Sequence, residues 1–132
     1  MRTTLAVIMA IPFVGCATAT DPAQIAQDRI PVEVWTGGDD GLTQRLADSV
    51  RSEFKQSARY AEALPSTANT LRVTIPTHAG SEKVGGRTRV NYTVVFDRAE
   101  RRIGATSGVC WSDELSACAR LVLEQATAAV AR

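Results

Sequence analysis

The sequence contains little that would attract or process a charged ligand. It has one histidine, His78, and 15 basic residues against 14 acidic ones among its 132 residues. A chain with this balance has no electrostatic attraction for nucleic acid. With one histidine, and with Cys110 and Cys118 expected to form a disulfide, only carboxylates remain as further ligands for a zinc ion. We therefore expect no nucleic-acid partner, no metal and no cofactor.

The sequence also lacks a recognisable catalytic constellation. His78 lies in the polar stretch 76–86 near Ser81 and Glu82, a combination that suggests a small hydrolase. One loop cannot hold the geometry of a catalytic triad without support from other elements. The glycines of this stretch lack the Gly-Lys-Ser/Thr ending of a phosphate-binding loop. The sequence favours a non-enzymatic protein, and a hydrolase using His78 is the alternative.

No apolar run is long enough to span a membrane. The longest, residues 5–14, would extend about 15 Å as a helix, which is half of a hydrocarbon core of about 30 Å. Arg2 precedes this run and small residues follow it, which is typical of an export signal. A protein with such a signal works in the cell envelope. Cleavage after Ala19, between small residues, would release it into the periplasm as a soluble protein.

The end of the export signal, Phe13-Val14-Gly15-Cys16, resembles the lipobox of bacterial lipoproteins. Phe13 stands where that family usually has Leu. The resemblance implies cleavage by signal peptidase II and attachment of lipid, including palmitate, to Cys16, so that the protein is held at a membrane. Ala17, not Asp, follows the cysteine. By the same resemblance, this residue implies sorting to the periplasmic face of the outer membrane.

The lipobox divides the chain into three parts. It predicts a signal peptide at 1–15, a flexible lipid-anchored tether at 16–30 and a single domain at 31–132. The residues of the tether are mostly small or polar, as expected of a flexible linker. Cleavage after Ala19 remains the alternative, and it would shorten this tether and remove the anchor.

Two free thiols remain after processing, those of Cys110 and Cys118, because Cys16 is either lipidated or removed with the leader. In an oxidising compartment an even pair usually forms a disulfide. Their spacing differs from the Cys-x-x-Cys of redox proteins. We therefore predict a structural disulfide that joins the last strand to the last helix and contributes about 2.5 kcal/mol.

Hydrophobic periodicity predicts the element order β-α-β-β-β-α. The predicted strands lie at 32–35, 71–75, 89–96 and 101–111, and the predicted helices lie at 41–59 and after Ser112. We expect Asp39 or Asp40 to cap the first helix and Ser112 to cap the second. The fold class is α+β: a two-layer fold with an about four-stranded, mostly antiparallel sheet and two helices on one face. The small residues Gly104, Thr106 and Gly108 on one side of the last strand suggest either close approach of another element or a bare solvent face.

This order is similar to that of small envelope lipoproteins such as the lipoprotein of the lipopolysaccharide translocon. The resemblance implies a binding or assembly accessory whose partner is an envelope protein or lipid. It rests on element order alone, so no functional residue carries over. The alternative is a soluble periplasmic inhibitor or ligand carrier.

Arginines and tryptophans are the candidate contact residues of the domain. The arginines that fall on the strands or their ends include Arg72, Arg89, Arg101 and Arg102. They are interpreted either as a solvated strand face or as a patch that contacts anions such as lipid A phosphates. Trp35 and Trp111 could bind a partner, but core packing is the expectation for each, with Trp111 against the disulfide.

Overall fold

The computed structural model describes Gly15 and residues 28–132. The predicted signal peptide, the predicted lipidation site Cys16 and most of the predicted tether lie outside the described residues, apart from Gly15. The described part contains these elements: β1 Ile30–Thr36, α1 Gly41–Gln56, β2 Tyr60–Glu62, β3 Leu71–Ile75, β4 Gly80–Val84, β5 Arg87–Arg98, β6 Arg101–Trp111 and α2 Leu115–Ala131. Neither of these two helices is long and apolar enough to cross a bilayer.

The strands form one mixed sheet. β1 pairs in parallel with β2 and with β3, whereas β5 pairs antiparallel with β3, β4 and β6. Because β6 takes one edge of β5, β3 and β4 share the other edge, one after the other. The order is therefore β2-β1-β3/β4-β5-β6. The α+β class is confirmed, but the described sheet has six strands and not about four. The two strands that were not predicted are β2 and β4, which are short and carry no clear alternation of apolar residues.

The first helix begins where the sequence predicts. The Asp40 carboxylate caps α1 by accepting from the backbone N–H of Thr43 at 3.1 Å. Leu46, Val50 and Phe54 recur every four residues and are buried, as an amphipathic helix requires. The helix ends at Gln56, three residues before the predicted end, because the chain turns there to enter β2.

The second helix begins later than predicted. Its N-cap is Glu114, which makes no capping hydrogen bond with its side chain, so the prediction that Ser112 caps this helix was wrong. The Ser112 N–H instead donates to the carbonyl of Thr88 at 2.9 Å. Ser112 therefore continues the ladder between β5 and β6 and is not available as a helix cap.

The disulfide joins the two layers. Cys110 of β6 and Cys118 of α2 are bonded, with 5.7 Å between their Cα atoms, which confirms the predicted pair. A Cβ placed on Gly104 would lie 3.1 Å from that of Ala129, so α2 approaches β6 closely where the strand has no side chain. The small residues of this strand therefore allow the close approach that the sequence suggested.

Both helices cover the same face of the sheet. Along β5 one face is buried, and it is formed by Val90, Tyr92, Val94 and Phe96. Alternate residues such as Arg89 and Thr93 are exposed on the other face. Tyr60 of β2 also contacts α2, because its hydroxyl lies 2.8 Å from that of Thr127. The opposite face, which we call the helix-free face, is covered by neither helix.

Candidate functional site on the helix-free face

A row of alternating charges crosses one end of the helix-free face. Strand register places Glu33, Arg72, Asp97 and Arg102 side by side on β1, β3, β5 and β6. Arg72 Nε donates to Glu33 Oε1 at 2.7 Å, and Arg102 Nε donates to Asp97 Oδ1 at 2.6 Å. The charges of this row therefore compensate one another across four strands.

The pKa of Glu33, the acidic residue at the start of this row, is shifted by its contact with Arg72. Partial burial pushes the pKa of Glu33 upward. Hydrogen bonds from Arg72 and Trp35, together with the charge of Arg72, outweigh burial and hold the pKa of Glu33 below its ordinary value. The ion pair therefore keeps Glu33 charged into mildly acidic solution.

The opposite end of the face also carries paired charges. Arg89 pairs with Glu82 on β4, and Arg87 Nη2 lies 3.0 Å from Asp113 Oδ1. The hydrogen bond from Arg87 lowers the pKa of Asp113 despite slight desolvation. The Arg87 guanidinium also stacks over the Trp111 ring, 4.3 Å from its centroid. Trp111 thus packs under an arginine on the helix-free face, and the expectation that it packs on the disulfide was wrong.

An uncharged zone lies between the two charged ends, and we call it the neutral band. Its members are Trp35, Thr74, Val95 and Ala105 in one row, Thr93 and Ser107 in the next, and Asn91 and Val109 in the third. Trp35 is 54% exposed and Val109 is 55% exposed. The expectation that Trp35 packs in the core was therefore wrong, because its place on β1 points it away from both helices.

The neutral band contains a shallow polar hollow. β3 ends at Ile75 and β4 begins at Gly80, so the intervening residues leave the middle of β5 without a strand beside it. A cavity of about 350 Å³ opens there. Its lining includes His78, Asn91 and the hydroxyls of Thr93 and Ser107, whose oxygens lie 3.0 Å apart. The hollow can therefore exchange hydrogen bonds with an uncharged polar group.

A second depression, of about 520 Å³, lies at the end of the sheet where β5 ends and β6 begins. Four residues that line it have left-handed backbones: Ser66, Asn69, Ala99 and Glu100. Ala99 and Glu100 are the two central residues of the turn between β5 and β6. Chain reversal therefore accounts for their conformation without a ligand.

His78 is brought to residues that sequence reasoning did not connect with it. Its Nε2 lies 3.2 Å from Asp39 Oδ1 and 3.8 Å from Asp40 Oδ1, at the N-terminus of α1. This contact arises because the loops after the parallel strands β1 and β3 end at the same edge of the sheet. The parallel β1–β3 pairing was the signal that could have revealed it. Glu82, the suggested partner, pairs with Arg89 instead.

The hydroxyl of Thr43, in the first turn of α1, is fully engaged. Thr43 Oγ1 donates to Asp40 Oδ1 at 2.6 Å and accepts from the buried N–H of Ala79 at 2.8 Å. The hydrogen bonds from Thr43 lower the pKa of Asp40. Thr43 and Asp40 therefore tie the start of α1 to the loop between β3 and β4. Within the described residues, no group of three or more histidine, cysteine or acidic side chains could hold a metal ion.

The four candidate arginines do not form one patch. Arg72 and Arg102 belong to the charged row, and Arg89 lies at the other end of the face. Arg101 is exposed and makes no ion pair with any residue in the described part of the chain. Comparison with protein-family models, with curated proteins and with solved structures found no match to this chain.

Proposed function

We propose that this chain is a non-enzymatic envelope lipoprotein that acts as a binding or assembly accessory. Cys16 anchors it at the periplasmic face of the outer membrane, and the helix-free face binds an envelope partner. The lipobox-like segment and the polar tether that follows it support the anchor. The observation that carries the binding role is the neutral band, where two large apolar side chains, Trp35 and Val109, are exposed.

A continuous exposed surface of apolar residues with a polar rim is typical of interaction sites, and the row of Trp35, Val95 and Ala105 supplies the apolar part here. A tryptophan contributes a large apolar contact area to such a surface. The hollow, which Val109 helps to line, offers hydroxyl and amide groups at Thr93, Ser107 and Asn91. A partner that fits this surface presents apolar and uncharged polar groups, so we infer an envelope protein as the partner.

The arginines are best explained as residues that keep the face soluble. Arg72, Arg89 and Arg102 each have an acidic neighbour, which cancels much of the positive charge that a phosphate-bearing lipid would need. Exposed pairs of this kind contribute little to stability. Contact with lipid A phosphates is therefore the less favoured use of this face.

The anchor is tested by labelling cells with a palmitate analogue. We expect label in the wild-type chain and none in Cys16→Ala. Mass spectrometry of the mature N-terminus distinguishes the alternatives, because an acylated Cys16 indicates a lipoprotein, whereas an N-terminus at Thr20 indicates the soluble carrier or inhibitor. Equal labelling of the two chains would remove the anchor from the proposal.

The binding role is tested by cross-linking in intact envelopes. Trp35→Ser should reduce the yield of the cross-linked partner by about tenfold, which corresponds to about 1.4 kcal/mol of lost contact. Leu121→Ser is the matched control, because Leu121 is 45% exposed but lies on α2, on the far side of the molecule. Equal yields from both variants would show that the neutral band is not the contact surface.

The hydrolase alternative has its own test. His78→Ala should leave folding unchanged, because the ion-pair partners of His78 Nε2 are the carboxylates of Asp39 and Asp40. Because His78 also lines the hollow of the neutral band, the cross-linking yield is measured in the same variant. A folded His78→Ala chain that loses function but keeps the wild-type yield of cross-linked partner would favour a catalytic role for this residue.

A further inference from the structure

The outer edge of β6 is a long strand edge that nothing covers within the described part of the chain. β6 spans Arg101–Trp111 and pairs only with β5. Between Ile103 and Trp111 the strand contains no charged residue and no proline. Strand edges of this kind are templates for pairing with another strand, and natural proteins usually block them with charges, bulges or proline.

The other edges of this sheet are protected by short length, by charge or by a bonded side chain. β2 has three residues, and β4 carries Glu82 and Lys83 at its centre. The part of β1 beyond β2 has its Val34 carbonyl occupied by Arg51, whose Nη2 donates to it at 3.1 Å. β6 therefore stands out as the one long edge without protection among the described strands.

The ladder with β5 shows which backbone groups of β6 point outward. The Ser112 N–H bonds to the Thr88 carbonyl, so hydrogen-bonded pairs alternate from there along the two strands. Cys110, Gly108 and Thr106 direct their backbone groups to β5. The backbone groups of the intervening residues, Ala105, Ser107, Val109 and Trp111, point to the open edge.

The two ends of β6 carry opposite charge. Arg101 and Arg102 lie at its start, and Asp113 and Glu114 follow its end. An antiparallel copy of the same strand would bring the basic end of each copy to the acidic end of the other. A parallel copy would place like charges together, which is destabilising. Arg101, which has no ion pair within the described residues, would gain an acidic neighbour.

We propose that two copies of this chain associate by antiparallel pairing of their β6 strands, centred on Ser107. In this register Ala105 of one copy faces Val109 of the other, and the outward N–H and C=O groups of both strands are satisfied. The β-bulge beside Asp97 lies outside the paired centre. The two helix-free faces become one continuous surface on a shared sheet. This inference does not depend on the lipid anchor or on the proposed partner.

A cysteine at the symmetry centre reports this pairing directly. In the full chain, Ser107→Cys places two thiols on directly opposed residues, whose Cα atoms would be about 5.5 Å apart, within the range for a disulfide. Thr93→Cys is the matched control, because it lies opposite Ser107 on the same face but one strand further from the edge. We expect a covalent dimer on non-reducing electrophoresis for Ser107→Cys and only background for Thr93→Cys. The Thr93→Cys chain also measures any dimer formed through Cys16, because both variants keep that residue.

A proline on the open edge then tests the mode of pairing. Val109→Pro removes an N–H that points outward, so it blocks a second strand without breaking the ladder to β5. In the Ser107→Cys chain it should reduce the dimer yield at least tenfold, whereas Val109→Ala should not. If the proline variant does not fold, Arg101→Glu serves instead and should lower the yield, with recovery when Asp113→Arg is added. Equal dimer yields from Ser107→Cys and Thr93→Cys, no dimer at all, or insensitivity to the edge variants would overturn the proposal.

Discussion

The turn between β5 and β6 offers a sharp test of the backbone geometry. Ala99 and Glu100 occupy its two central positions with φ of 50° and 60°. The turn between β4 and β5 has the same length, and Gly85 and Gly86 hold its central positions with φ of 57° and 83°. Two-residue hairpin loops with positive φ at both positions favour Asn, Asp and Gly. We therefore expect Glu100→Gly to stabilise the protein.

The magnitude follows from two opposing effects. A left-handed backbone costs about 1–2 kcal/mol for a residue that has a Cβ, and glycine removes that cost. Glycine also gives the unfolded chain more conformational freedom, which costs about 0.4–1 kcal/mol. The net gain should be about 0.5–1 kcal/mol, which raises Tm by about 2–8 °C in a domain of about 100 residues.

Urea unfolding at neutral pH measures this gain. Glu100→Ala is the control, because it removes the same side chain and keeps the Cβ, so it should leave stability nearly unchanged. Gly86→Ala is the mirror experiment and should lower the free energy of unfolding by about 1 kcal/mol, since it imposes the same strain on the other turn. If Glu100→Gly is no more stable than Glu100→Ala, the backbone argument is wrong.

Three further predictions concern the contacts that hold the layers together. Replacing both Cys110 and Cys118 with Ala should lower the free energy of unfolding by about 2–3 kcal/mol, and a folded, unreduced wild-type protein should show no reactivity of these two thiols. Thr43→Val should cost about 1–3 kcal/mol because it leaves the buried Ala79 N–H without its acceptor, whereas Thr43→Ser keeps the hydroxyl and should cost less. The pKa values of Glu33, Asp40 and Asp113 are lowered in the folded protein, so their contribution is present above their ordinary pKa values and is lost as pH falls through the folded ones. Urea unfolding between about pH 5 and pH 3 should therefore show falling stability, and the fall should be smaller in Asp40→Asn, which keeps a capping oxygen.

The regular elements could be predicted because their side chains repeat with a clear period. β3 matches the alternation of Leu71–Ile75, and β6 matches Arg101–Trp111. β2 and β4 could not be found in this way. β4 is a polar strand that is exposed on both faces, and its pairing depends on the Gly85-Gly86 turn and not on burial. The sequence signal for this strand is therefore the chemistry of its turn and not a hydrophobic period.

The helix-free face was predictable only in part. Alternation places Arg72 and Arg89 on an exposed face, but the acidic partners come from β1 and β4, and their register depends on tertiary pairing. Trp35 was expected in the core because large aromatic side chains are usually buried. Its exposure follows from the side of β1 that the helices cover, which local sequence does not specify.

The sheet is joined along its middle by a short seam, where β3 and β5 pair through Leu71–Thr74 and Val95–Arg98. The elements on one side of this seam, β1 to β3 with α1, precede in sequence those on the other side, β4 to β6 with α2. The C-terminal half consists of consecutive hairpins and a helix bonded to the last strand, so most of its contacts are local. Local contacts form quickly, and pairings between distant segments form slowly. The C-terminal half should therefore fold first, and in the native protein the amide protons along the seam should exchange with solvent before those between β5 and β6.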